Sequence, residues 1–261
     1  MPPRVTPCRV LCGNCLDLIP TLGQFDFIFA DPPFNLDHDY IGFKDLLPRG
    51  EYVEFTRNWI DVCIGALAQD GVLAMHGNDD LAMLYLHMTA GNNDLKRIAW
   101  INWHYRFGQC GRGNWIDARC HCLIFTNSRK KRYTWNPEDV LVDSDRAAVY
   151  GDKRIHDTER GGKRLPGTIW GVPSDGPYWG RVQGNSEERR EHSPNQLPEV
   201  YLARLIRAYT NLGDRVMDPF GGSGTTVVVC QALGRECVTM DLVPATVDSI
   251  KDRLRKGAVR V

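Results

Sequence analysis

The chain has 261 residues, 43% of them hydrophobic and 25% charged, and its 32 basic and 32 acidic side chains cancel to a formal net charge of zero. These values suit one large globular α/β unit, or one carrying a sizeable insertion, and they exclude a wholly disordered or fibrous chain. A neutral balance gives no overall attraction for nucleic acid, so an anionic partner would have to meet a local basic cluster.

Cys8–Cys12 reads as a short strand that stops at Gly13, and 14–22 as a helical turn or short helix. Phe25–Ala30 is an apolar run of strand formers. It ends at Asp31-Pro32-Pro33, because neither proline can donate to a sheet ladder. Asp31 is therefore placed at the carboxyl end of a buried strand. A helix is predicted over 51–68 from Tyr52, Phe55, Trp59, Val62, Cys63 and Ala66 at helical spacing, with Asp70-Gly71 ending it. Val72–His76 is the next strand, 79–90 the next helix, and 97–105 and 120–126 are two further strands.

From about 128 to 192 the periodic apolar signal fades into Gly, Pro, Arg, Asp and Ser with scattered aromatics (Tyr133, Trp135, Tyr150, Trp170, Tyr178, Trp179). This stretch is too long for a simple loop and reads as an inserted recognition module. The basic residues at 129–132 and the group Lys153, Arg154, Arg160, Lys163 and Arg164 form either a phosphate-binding face or a solvated surface. Regular pattern returns with Pro198 at a helix start and Leu202, Leu205, Ile206 and Tyr209 at helical spacing. Arg215–Met217 is a strand, about 223–233 a helix stopped by Gly234, 236–240 a strand ending at Asp241, and 244–256 a last helix. Alternating strands and helices imply a mostly parallel sheet with helices on both faces. The expected organisation is one catalytic half (1–127), the insertion (128–192) and a cofactor-binding half (193–261).

Nine cysteines are spread along the chain, and neither an apolar leader nor a membrane-spanning run is visible. Free thiols in a reducing cytoplasm are the expectation. Cys12-x-x-Cys15 and Cys120-His121-Cys122 have the look of ligand pairs, but no second pair completes a set, so ordinary thiols and no metal are expected.

Two motifs carry chemistry, each directly after a strand. In Asp218–Thr226 (DPFGGSGTT), Gly221, Gly222 and Gly224 let the backbone approach a ligand. Ser223, Thr225 and Thr226 open the next helix, whose positive end favours an anionic group. Asp241, about twenty residues on, stands where a Rossmann-like fold places an acid on ribose hydroxyls. A nucleoside ligand is implied, while G-x-G-x-x-G and P-loop spacings are absent. In Asp31-Pro32-Pro33-Phe34, a carboxylate and a proline carbonyl can accept the two hydrogens of a base amino group and localise its lone pair. Phe34 can stack on a base that has left the duplex.

In this order and with this middle segment, the motifs resemble the amino-methylating DNA methyltransferases, specifically the permuted class in which DPPY or DPPF precedes DPFxGSGTT. The resemblance covers nearly the whole chain outside the middle segment. It implies a Rossmann-like S-adenosylmethionine-dependent methyltransferase fold and methyl transfer to the N6 of adenine in DNA, with Asp31, Pro32, Pro33 and Phe34 catalytic. Asp31 rather than the serine more common in cytosine-N4 members tilts the base towards adenine, with cytosine-N4 as the alternative. An RNA or protein methyltransferase and a catalytically inactive DNA-binding relative are more distant readings. Gly13-Asn14-Cys15-Leu16 resembles the family's GDCL element, which places Asn14 and Cys15 on the cofactor, with an amide replacing the acid. Ser193–Pro198 resembles HPTQKP around the cofactor's methionine end. Leu197 replaces the lysine there, and Asn195 and Gln196 remain as polar candidates. Asp31, Asp218, Phe220, Gly221, Gly222, Ser223, Gly224, Thr225, Thr226 and Asp241 complete the implied cofactor set. Thr168-Ile169-Trp170 resembles the element closing the recognition region. Trp103–Phe107 sits near the target base in the family, with Trp103 itself read as core. The implied partners are double-stranded DNA, a second copy of the chain as in dimeric members, and a restriction endonuclease not visible in the sequence.

Overall fold

The computed structural model describes residues 7–40, 42–92, 94–109, 113, 115–172, 179–184, 186–190 and 195–261. Ser193, Pro194 and Tyr178, named above, lie outside them. Elements follow in chain order: β1 (Cys8–Cys12), α1 (Cys15–Leu18), β2 (Phe25–Ala30), β3 (His38–Tyr40), β4 (Phe43–Asp45), α2 (Arg49–Gly65), β5 (Leu67–Gly77), α3 (Asp79–Thr89), β6 (Lys96–Gln109) and β7 (Asp117–Thr126). The second half holds β8 (Val142–Asp143), α4 (Arg146–Tyr150), β9 (Lys163–Arg164), β10 (Ile169–Trp170), α5 (Glu199–Tyr209), β11 (Arg215–Asp218), α6 (Thr225–Ala232), β12 (Glu236–Asp241) and α7 (Pro244–Lys256).

The main sheet runs β1-β12-β11-β2-β5-β7-β6-β10. β7 is antiparallel to both of its neighbours, and the remaining pairings are parallel. β2 is central because its residues are apolar on both faces. Phe27 and Phe29 pack into one core with α5 and α6, whereas Ile28 and Ala30 pack into the other with α2 and α3. A strand buried on both sides needs such a continuous apolar run rather than an alternating one. The sheet is thus mostly parallel with helices on both faces, as the alternation of elements implied.

Three local expectations need correction. The helix predicted over 51–68 spans Arg49–Gly65, and Asp70-Gly71 does not end it. Those two residues form an irregularity inside β5, where the partners of Phe25 and Phe27 jump from Leu67 to Val72 and Asp70 takes φ 62°. Apolar periodicity across Ala66–Leu67 serves a buried strand as well as a helix, so the boundary was ambiguous. The helix predicted from 223 begins at Thr225, with Gly224 as a left-handed N-cap at φ 75°, so Ser223 belongs to the turn. Finally, inside the segment where the periodic signal fades and an irregular insertion is expected, Ile169–Trp170 joins the main sheet beside Asn102 and Trp103 of β6.

β2 and β11 are adjacent, but the chain leaves them in opposite directions, towards β5 and β12. Their carboxyl ends therefore open a crevice at the topological switch point, where open α/β sheets bind ligands.

Candidate active site

The crevice is a cavity of about 1010 Å³, and every residue implicated above as catalytic or cofactor-binding lines it except Gly224. Gly224 acts behind the wall: a Cβ there would stand 2.9 Å from Ile250 of α7, so it permits close packing of the turn. Gly221 has a similar reason, since a Cβ would meet Thr239 Oγ1 at 2.7 Å and Met240 O at 3.0 Å.

On the cofactor side the turn is already heavily hydrogen-bonded. Phe220 N donates to Asp218 Oδ1 (3.0 Å) and Gly222 N to Asp241 Oδ2 (3.1 Å). Gly221 N donates to Met240 O and Gly224 N to Gly221 O, both at 2.7 Å. Val243 N donates to Asp241 Oδ1 (2.9 Å), so each Asp241 oxygen is oriented by one backbone donor and keeps acceptor capacity for a ligand. Burial raises the Asp241 pKa despite these bonds, and it pushes buried Asp218 up to about 6. Asn14 Oδ1 is the N-cap acceptor for Leu16 N at 3.0 Å, which commits part of the amide that aligns with the family's acid. Cys15 is buried beside it. Phe220 stands edge-on to Trp59 at 5.5 Å and to Phe55 at 6.2 Å, which holds its ring in the cavity wall. Gln196 is spent on structure: Oε1 accepts from Arg190 N (3.0 Å) and Nε2 donates to Glu188 O (2.6 Å). Asn195 stays exposed, its Oδ1 accepting from Arg181 Nη2 at 2.9 Å.

On the catalytic side, Asp31 follows β2, and burial together with the Asp218 carboxylate pushes its pKa up to about 8. The loop around it is held by groups the sequence did not single out. Tyr52 of α2 donates its hydroxyl to Pro33 O at 2.7 Å. Asp45, 2% exposed, accepts from Asn35 N (2.8 Å) and Leu36 N (3.1 Å). Asn35, at φ 58°, pairs both ends of its amide with the backbone of Leu47 (2.6 and 3.0 Å). With Pro33 O occupied, the Asp31 carboxylate and the Pro32 carbonyl are the acceptors left for an incoming amine. Phe34 lines the cavity beside His76, ring centroids 6.1 Å apart. His76 bonds Tyr201 Oη through Nδ1 at 3.0 Å, and burial pushes its pKa down to about 3, so it is a neutral wall residue. Trp103 is 3% exposed, as its core reading expected, and also reaches the cavity. A tyrosine in the stripe of α2 and a histidine closing β5 at the same sheet edge as Asp31 were the available signals for Tyr52 and His76.

Among the described lining residues, seven are aspartates and two are arginines, with no lysine or glutamate. An acidic cavity in which both Asp241 oxygens keep acceptor capacity suits a nucleoside bearing cationic groups, and the hydroxyls, sulfonium and ammonium of S-adenosylmethionine fit that acceptor set. Part of the basic charge further out is paired. Arg129 meets Asp94, Arg154 meets Asp152 at 2.8 Å, and Arg160 meets Glu138 at 2.8 Å.

The fold and site are those of an S-adenosylmethionine-dependent methyltransferase. A family model described as DNA methylase, covering N6 and N4 enzymes, matches residues 25–252, and the chain belongs to that family. Type II methyltransferase M.HpaI of Haemophilus parainfluenzae is 29% identical over 94% of this chain and 74% of its own length. DNA adenine methyltransferase YhdJ of Escherichia coli is 26% identical over 83% of this chain and 71% of its own. The solved PvuII DNA methyltransferase (cytosine-N4-specific) superposes with a TM-score of 0.69 at 15% identity, covering 95% of this chain and 86% of that one, a likeness of fold.

Proposed function

We propose that this chain methylates the N6 amino group of adenine in double-stranded DNA at a specific sequence. The observation that carries the reading is the shared cavity: the Asp31–Phe34 loop opens into the same space as Asp218, the Gly221–Gly222 turn and Asp241. The adenine choice is supported by Asp31 at the head of the motif and by the similarity to a relative named for adenine methylation.

Asp241 would hold the ribose of the cofactor and Asn14 its adenine, and bound S-adenosylmethionine supplies an activated methyl group. The target base, taken out of the duplex, would stack on Phe34. Its amine would donate one hydrogen to the Asp31 carboxylate and one to Pro32 O, turning the nitrogen lone pair towards the methyl. As the nitrogen–carbon bond formed, the sulfur–methyl bond would break with its electron pair returning to sulfur as a neutral thioether, and Asp31 would be placed to take the proton that the cationic amine then releases, directly or through water. Alignment of this kind can supply about 7–11 kcal/mol of barrier reduction. The role of Tyr52, Asp45 and Asn35 is to keep the acceptor pair rigid.

The Type II designation of a relative supports a restriction endonuclease acting at the same site, and we extend the reading to a homodimer working in the cytoplasm. Among the described residues no helix is long and apolar enough to cross a membrane.

The test is transfer of labelled methyl to unmethylated duplex DNA, with product nucleosides resolved by mass. N6-methyl-2′-deoxyadenosine is the expected product, and N4-methyl-2′-deoxycytidine would overturn the base assignment. Asp31→Ala should abolish transfer while binding of the demethylated product, S-adenosylhomocysteine, persists; joint loss of both would make Asp31 structural.

A further inference from the structure

The cavity's charge leaves one group of the cofactor unaccounted for. S-adenosylmethionine carries an α-carboxylate, yet the described wall holds seven aspartates against two arginines. The Gly-rich turn has little to offer an anion, because Phe220 N, Gly221 N, Gly222 N and Gly224 N already have acceptors. Leu197 contributes only its carbonyl, accepting from Thr225 Oγ1 at 3.2 Å. Arg253 lies behind the turn with its side chain fully buried, bound to Glu199 at 2.8 Å.

Of the two lining arginines, Arg119 is neutralised by a two-point pair with Asp79, at 2.6 and 3.2 Å. Arg181 has no carboxylate partner among the described residues. Among the described residues its side-chain hydrogen bond runs from Nη2 to Asn195 Oδ1, and its guanidinium lies over the Tyr105 ring at 5.5 Å. The aromatic ring and the amide oxygen fix the planar group at the cavity wall without cancelling its charge. With Asn195 Oδ1 facing Arg181, the Asn195 amide nitrogen is left as a second donor at the same place.

We propose that Arg181, with the Asn195 amide beside it, binds the α-carboxylate of S-adenosylmethionine. This rests on the reading of the cavity as the cofactor site. A guanidinium matches a carboxylate through two parallel donors, and such charge-assisted bonds are the strong class. The ligand is thereby oriented end to end: nucleoside on Asp241, carboxylate on Arg181, and the methyl between them at Asp31.

The test is calorimetric binding of S-adenosylmethionine and of its decarboxylated analogue, which lacks only the carboxylate, to the wild-type chain and to Arg181→Gln. For wild type the intact cofactor should bind about 10- to 100-fold more tightly than the analogue, as a charged hydrogen bond predicts. Arg181→Gln should lose that preference while binding the analogue as wild type does, and Arg181→Lys should recover part of it. Equal loss of both ligands would make Arg181 a structural residue and overturn the proposal. Unchanged cofactor binding, with the salt dependence of duplex-DNA affinity reduced by about one phosphate contact, would assign the arginine to a DNA phosphate and overturn it too. If the wild-type chain bound neither ligand, the cofactor reading itself would fail.

Discussion

Asp31 should make the ligand-free protein less stable as pH rises through neutrality. Its carboxyl is pushed from an ordinary 3.8 up to about 8 by burial and by Asp218. The folded chain then binds the proton more tightly than the unfolded chain, so stability falls with pH from the unfolded value to about 8 and levels off beyond it. Asp218, pushed up to about 6, acts in the same direction mainly below pH 6, whereas His76, pushed down to about 3, acts in the opposite direction until unfolded histidine loses its proton near 6.5, so Asp31 is read as the difference between wild type and Asp31→Asn from pH 6 to 8. One proton held across that window is worth about 2 kcal/mol at roughly 1.4 kcal/mol per pH unit. In a chain of this size that is a fall of about 4–8 °C in Tm. Asp31→Asn keeps the shape and removes the titration. Thermal unfolding at pH 6 and 8 should show the fall in wild type and a much flatter profile in the variant. An equal fall in both would mean that Asp31 ionises normally and that the cavity does not desolvate it.

Tyr52→Phe removes only the hydroxyl on Pro33 O, so kcat for methylation should drop by about two- to tenfold, the worth of one neutral hydrogen bond, while the cofactor Kd stays within twofold. Steady-state kinetics beside calorimetry read the two separately. Arg253→Met strands Glu199, whose side chain is fully buried and whose Oε2 also accepts from Val259 N and Arg260 N. Breaking such a pair should cost about 3–5 kcal/mol in urea unfolding. The double variant Arg253→Met with Glu199→Leu should lose less than the sum of the two single changes.

The readable parts of this chain were those whose signal is local. β2 and β12 announce themselves as apolar runs ending in an aspartate, and the Gly-rich turn carries its reason in its own residues. The supports of the catalytic loop were not readable, because they act across space. Asp45 reaches back ten residues to Asn35, and Tyr52 looks like any stripe residue until its hydroxyl is seen on Pro33 O. Likewise nothing in Thr168-Ile169-Trp170 says that two of its residues extend the main sheet, since two paired residues carry no period. Gln196 shows how little a motif says of an amide's partners: the resemblance offers it as a polar candidate for the cofactor and it lines the cavity, while hydrogen bonds to Glu188 O and Arg190 N already hold it.

The same acidic cavity should make the enzyme tell its substrate cofactor from the spent one by charge, in a way that pH exposes. S-adenosylmethionine carries a sulfonium cation, whereas S-adenosylhomocysteine, left after transfer, is a neutral thioether. The methyl must lie in line with an amine held by Asp31, which brings the sulfonium near that carboxyl. A cation beside an aspartate favours its ionised form by about 1–3 pH units. Binding of the sulfonium should therefore release a proton from Asp31 near neutral pH, while the thioether leaves it in place. By linkage, the ratio of the two affinities rises with pH across the Asp31 titration, by at most about tenfold per unit and by 10- to 1000-fold in all. Competition binding of the two ligands between pH 6 and 9 measures the ratio, with Asp31→Asn as the flat reference. A ratio equally flat in the wild type would separate the sulfonium from Asp31 and would break the geometry on which the proposed transfer depends.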